Sequence, residues 1–186
     1  MSSIFSEIAA RLKDAKPRGM RNPRLLPGEY IVRVDTITAN RSAKDPSQSN
    51  VAIDGRVLVA LNGASAAGSA FGHVYTSKAT YSYAPSVRQL IAACLGVSFE
   101  AVNEQMTTAF FEKGEGSGKV LRVRAVENPP KPGSNKGPFL DLFVVERLAA
   151  KDYANLLTED VVKSVFGDGD LDKGKSLIKA MIASGM

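Results

Sequence analysis

Apolar positions recur first at helical spacing and then in alternation. Ile4, Phe5, Ile8 and Leu12 share one helical face, which predicts a short amphipathic helix over the first dozen residues. Pro17, Gly19 and Pro23 break that pattern. Leu25-Leu26-Pro27-Gly28 then leads into residues 30–38, where alternating Tyr30, Val32 and Val34 predict the first strand. A polar, proline-containing stretch from Ala39 to Asn50 separates it from a second run, Val51 to Leu61, with Ile53, Val57, Val59 and Leu61 on one face. Gly55 interrupts this run, as a bulge or sharp bend in a coiled strand would. After a turn of Gly, Ala, Ser and one Asn at 62–70, period-two placement of Phe71, His73, Tyr75, Tyr81 and Tyr83 predicts a third strand, or two short ones.

The pattern turns helical at Pro85, a residue tolerated in the first turn of a helix. Val87, Leu90, Ile91, Cys94 and Leu95 follow at helical spacing and Gly96 stops them. Phe99, Val102, Met106 and Phe110 predict a second helix, ended by the glycines of 114–118. Strands are expected over Lys119–Glu127 and Phe139–Glu146, with a Pro/Gly/Lys loop at 128–137. From Ala149 the chain is helical again, with Thr158 as an N-cap, Gly167 as a stop, and Leu177, Ile178, Met181 and Ile182 as a last apolar stripe.

Three strands, a helical insertion and two further strands is the element order of an OB-type barrel. The expected fold is therefore β-rich α+β: a five-stranded barrel over 25–148 with helices inserted between strands 3 and 4. A helix and basic arm over 1–24 precede it, and a helical extension over 149–186 follows. No internal repeat is visible.

Composition changes this picture mainly through charge. The 186 residues carry a net charge of +5. Residues 11–24 hold Arg11, Lys13, Lys16, Arg18, Arg21 and Arg24 against Asp14 alone, so this arm equals the net charge of the whole chain. A basic arm beside a near-neutral body suits an anionic polymer, because each neutralised phosphate releases counterions. Cys94 is the single cysteine, which excludes an intramolecular disulfide and any multi-cysteine metal site, and its apolar stripe reads as a buried thiol in a reducing compartment. No apolar run approaches a bilayer-spanning length and the first residues lack a signal-peptide pattern, so a cytoplasmic protein with no membrane partner is expected.

The motifs that invite an enzyme fail on detail. Gly-Glu-Gly-Ser-Gly-Lys at 114–119 lacks the spacing and the following Ser or Thr of a phosphate loop, since Val120 and a strand follow. Asp168, Asp170 and Asp172 alternate like calcium ligands, but Lys173 and Lys179 occupy the sixth and twelfth places, where glycine and a bidentate carboxylate belong. His73 has no nucleophile elbow, because 63–68 carries Ala67 where the motif needs glycine. No catalytic residue, cofactor or metal ligand is assigned, and a non-enzymatic protein is expected.

The constellation that survives is aromatic and basic. Tyr75, Tyr81 and Tyr83 are expected to stack on bases. Arg41 and Lys44 in the first loop, Arg122 and Arg124 on the fourth strand, and Lys131 and Lys136 in the last loop are expected to hold phosphates. Arg18, Arg21 and Arg24 of the arm add to them. The groove is expected between strands 3 and 4, under the two basic loops. The competing assignment makes the tyrosines core residues and the arginines a wet outer face.

The Leu-Pro-Gly-Glu-Tyr-Ile-Val-Arg-Val entry at 26–34, the second strand with Gly55, Ala-Ala-Cys-Leu-Gly at 92–96, and Leu-Arg-Val-Arg before a Pro/Gly loop resemble the OB-fold single-stranded-DNA-binding proteins of bacteriophages. The resemblance spans about residues 25–148 and implies sequence-tolerant binding of single-stranded DNA in replication or recombination, in the cytoplasm of a bacterial host. RNA is a further candidate ligand and a homo-oligomer a candidate assembly. The chain departs from many such proteins in lacking an acidic, phenylalanine-tipped tail, since it ends Lys-Ala-Met-Ile-Ala-Ser-Gly-Met. The alternative is a structural or assembly protein that uses barrel and terminal helices as a protein-interaction scaffold.

Overall fold

The computed structural model describes residues 22–41, 45, 47–77, 83–130, 137–166, 179–180 and 183. The expected N-terminal helix and the last apolar stripe lie outside them. Strands β1 (Gly28–Arg41), β2 (Ser49–Ala60) and β3 (Ala70–Ser77) form a meander, followed by helices α1 (Ala84–Leu95) and α2 (Glu104–Lys113). β4 (Val120–Asn128) and β5 (Phe139–Arg147) return the chain to the sheet. Helix α3 (Ala150–Tyr153), a 3-10 turn (Ala154–Leu156) and α4 (Glu159–Phe166) come next.

The five strands form one antiparallel sheet in the order β3-β2-β1-β4-β5, giving a β-rich α+β fold. Among the described residues no backbone ladder joins the edge strands β3 and β5. They nevertheless approach each other, because the Tyr75 hydroxyl of β3 donates to the Leu142 carbonyl of β5 at 2.8 Å. The interruption expected at Gly55 falls on the partner strand instead, since β2 runs unbroken through Gly55. Register shifts between Val34 and Thr36, so that Asp35 bulges opposite Gly55. A Cβ on Gly55 would overlap the Arg33 carbonyl, so this close approach of β1 beside its bulge needs a residue without one.

The inserted helices begin and end where local chemistry allows. Pro85 sits in the first turn of α1, where its missing N–H costs no helical bond, and Gly96 closes the helix in the left-handed region at φ 70. Helix α2 starts later than its apolar positions imply. Asn103 caps it, its side-chain oxygen accepting the Met106 N–H at 2.9 Å, so Phe99 and Val102 precede the helix. Phe99 instead lies under the Arg88 guanidinium, 4.8 Å from ring centroid to carbon.

Two apolar layers flank the sheet. On the inner face Tyr30, Val32, Val34, Ile53, Val57, Phe71, Tyr75, Leu121, Val123 and Leu142 pack with Leu90 and Ile91 of α1 and Phe110 of α2. Each such aliphatic or phenyl side chain contributes about 1.5–3 kcal/mol by leaving water. On the outer face Ile31, Leu58 and Val120 pack against Ala150, Tyr153, Val161 and Val165 of α3 and α4. Thr158 caps α4 as expected, accepting the Val161 N–H on its hydroxyl at 3.4 Å. Arg33 and Arg56 donate to the Val165 and Ser164 carbonyls at 2.7 and 3.0 Å, placing two cations at the negative end of α4.

Residues 22–24 lie along β3. The Gly72 N–H donates to the Pro23 carbonyl at 2.9 Å, and Asn22 Nδ2 donates to Asp54 Oδ1 at 3.2 Å. A Cβ at Gly72 would stand 2.8 Å from that Asp54 oxygen, so glycine is what lets the segment approach. The basic arm is thereby rooted on the edge of the sheet. Among the described residues no helix is long and apolar enough to cross a membrane.

Candidate nucleic-acid interface

Strand alternation makes Phe71, His73 and Tyr75 share a face, and that face points inward. Tyr75 retains 2% of its exposure, so its ring packs in the core and cannot stack on a base, which corrects the expectation. Its hydroxyl is spent on Leu142, and burial holds the phenol protonated far above the ordinary tyrosine range. Tyr83 is half-buried at the start of α1. Its ring lies 6.2 Å from that of Tyr75, and its hydroxyl donates to Asp141 Oδ1 at 3.1 Å. Tyr81, Lys44, Lys131, Lys136, Arg18 and Arg21 fall outside the described residues.

The expected groove between strands 3 and 4 is corrected as well, since β2 and β1 stand between them in the sheet. Tyr75 and the β4 arginines also occupy opposite faces, because Leu121, Val123 and Ala125 take the inner face of β4 and leave Arg122 and Arg124 outside. Arg41 is exposed at the end of β1, while Glu29, the β1 partner of Arg124, is near its beginning. Twelve residues of strand separate these positions, roughly 40 Å along the chain. The β4 arginines and Arg41 therefore do not form one cluster.

Arg122 and Arg124 converge on Glu29. Arg122 Nη2 donates to Glu29 Oε2 at 2.9 Å and its Nη1 to Glu146 Oε1 at 3.3 Å, while Arg124 Nε donates to Glu29 Oε1 at 3.2 Å. The bond from Arg122 is the main reason the Glu29 carboxyl sits below the ordinary range. Arg122 is thus committed within the sheet. Arg124 keeps its side chain 55% exposed while its Nε bonds Glu29.

Two aromatic residues on this outer face had no site role in the sequence reading. Phe143 stands opposite Arg124 in the β4–β5 register and Phe139 opposite Asn128, and they are 45% and 38% exposed. Val145 beside them is 37% exposed. Helices α3 and α4 cover the β1 and β2 side of the outer face and leave this part of β5 bare. In the sequence these residues sit in the nearly continuous apolar run 139–145, whose composition gives no inward or outward face.

Arg24 is exposed at the root of the arm, and its charge acts on His73 behind it. Burial first, and Arg24 second, lower the His73 imidazole from 6.5 to about 4, so it is neutral at physiological pH. The charge of the chain is segregated. The described residues hold thirteen Lys and Arg against fourteen Asp and Glu, so the positive excess belongs to the remaining segments, chiefly 11–21 and the two lysine-bearing loops.

The 114–119 segment forms a turn, with Gly114 and Gly118 at φ 63 and 75. Its Lys119, together with Arg147, Glu115, Cys94 and Leu95, lines an open cavity of about 330 Å³. Arg147 donates to the Cys94 carbonyl at 3.2 Å, so this cation serves the end of α1. Burial pushes the Cys94 thiol up to about 12, which leaves it unreactive as a nucleophile at neutral pH. Among the described residues no cluster of three or more His, Cys, Asp and Glu side chains could hold a metal ion. Asp168, Asp170 and Asp172 lie outside them. The chain matches no protein-family model, and no curated protein has a matching sequence.

Proposed function

We propose that this protein binds single-stranded DNA without sequence preference, through an OB-type barrel and a basic N-terminal arm. The observation that carries the reading is the segregation of charge. The described residues are close to neutral, and the positive excess belongs to the remaining sequence, chiefly 11–21, whose continuation at 22–24 is anchored on β3; such segregation is the electrostatic footprint of a phosphate-tracking protein. The strand order supports the barrel. A β3-β2-β1-β4-β5 sheet with helices inserted after β3 becomes an OB barrel when β3 and β5 meet, and the Tyr75 to Leu142 bond spans that seam. Protection or presentation of strands in replication or recombination is the corresponding role.

A protein-assembly scaffold is the second reading, favoured by the bare apolar residues Phe139, Phe143 and Val145. A mobility-shift comparison of single-stranded DNA, duplex DNA and RNA separates the two. Retention of single-stranded DNA at low salt, in preference to duplex, is expected. Absence of any shift contradicts strand binding and favours assembly.

A further inference from the structure

The outer face of β4 and β5 presents exposed aromatic rings, which a soluble sheet ordinarily turns inward or covers. Phe139 and Phe143 lie on the same face of β5, four residues and roughly 13 Å apart. Asp141 lies between them, but both its oxygens are engaged, accepting from Tyr83 Oη at 3.1 Å and Asn128 Nδ2 at 2.9 Å. Across the ladder from Phe143, Arg124 spends only its Nε on Glu29. The sequence between Asn128 and Phe139 contains Lys131 and Lys136 and no acidic residue.

We infer that Phe139 and Phe143 form a base-stacking platform for single-stranded nucleic acid, with Arg124 holding the phosphate that crosses from β5 to β4. The inference rests on the strand-binding reading above and assigns it a surface. The chemistry fits the ligand: a phenyl face accepts any base, and an exposed guanidinium meets a phosphate. The β5 backbone edge is a poorer candidate for pairing with another chain, because the Leu142 carbonyl already accepts the Tyr75 hydroxyl.

The chain contains no tryptophan. Phe143→Trp therefore installs a single tryptophan on the platform, excited selectively over the five tyrosines. Titration with oligo-dT is expected to quench its emission in step with the rise in anisotropy of a labelled strand. Phe139→Ala/Phe143→Ala is expected to weaken oligo-dT binding at least about ten-fold, since stacking on one ring changes affinity about 5- to 150-fold. Its melting temperature should match the wild type, because neither ring is in the core. Should the double variant melt early, the Phe143→Trp quenching alone decides. Wild-type binding with an unaffected double variant, or with unquenched tryptophan, overturns the platform and leaves strand binding standing. A blue-shifted emission in the free protein that DNA does not change shows the patch covered by protein, and overturns it too. No binding by the wild type removes both readings.

Discussion

His73 is the only histidine, and its environment makes a quantitative prediction. Its ring is buried edge-on to Tyr75, with centroids 4.6 Å apart, and Arg24 is the nearby cation. Together these hold the imidazole at about 4, against an ordinary value of 6.5. The unfolded chain then takes up the proton first as pH falls. The associated stability is complete above pH 6.5, declines as pH drops from 6.5 toward 4, and is lost below. At 1.36 kcal/mol per pH unit this amounts to at most about 3 kcal/mol. With one histidine the assay is direct. The Hε1 proton gives a single NMR resonance, expected to keep its neutral shift down to pH 5. Urea unfolding over the same range should show a loss of stability that His73→Gln lacks. Arg24→Ala should move the His73 midpoint upward by a smaller amount, since burial is the larger cause. A midpoint near 6.5, or an identical pH slope in His73→Gln, would refute both the inward face of β3 and the rooting of the arm beside it.

Three other perturbations follow from the packing. Tyr75→Phe keeps the ring but orphans the Leu142 carbonyl, so it should cost about 1–3 kcal/mol in urea unfolding and leave DNA affinity unchanged. Unchanged stability with weakened binding would restore Tyr75 as a DNA-contacting residue. Gly63→Ala would drive a Cβ into the Tyr30 ring, whose hydroxyl donates to the Leu26 carbonyl at 2.8 Å. Overpacking of this kind typically costs about 1–3 kcal/mol, read as a lower melting temperature, and a neutral outcome would contradict that close approach. Cys94 should resist a thiol-specific disulfide reagent in the native state and react fully in denaturant; rapid native labelling would contradict its burial.

Much of the architecture is legible in the sequence because it is local. Alternation marks the strands, Pro85 and Gly96 bracket a helix, and Thr158 announces α4. What alternation cannot supply is which face is inside. Phe71, His73 and Tyr75 share a face by period two whether they look inward or outward, and only the helices packed behind the sheet decide. Unbroken apolar runs carry a further signal. Tyr30, Ile31 and Val32 are all buried in succession, as are Val57 and Leu58, and such runs mark a strand covered on both faces. They announce the outer layer that α3 and α4 provide. The Glu29 cluster is not legible in the sequence, since it depends on the β1–β4 pairing of positions 95 residues apart. Phe139 and Phe143 are exposed although they alternate like core residues, because the packing of α3 and α4 on the outer face is over Ile31, Leu58 and Val120.

Electrostatic binding of a single strand is tested by the salt dependence of oligo-dT affinity. Fluorescence anisotropy at several salt concentrations should give log K falling linearly with log salt. Replacing Arg18, Arg21 and Arg24 together by Ala should reduce the slope by about 2, at roughly 0.7 for each single-strand phosphate that an arginine no longer neutralises. Affinity independent of salt, or a slope the triple substitution leaves unchanged, would contradict phosphate binding by the arm.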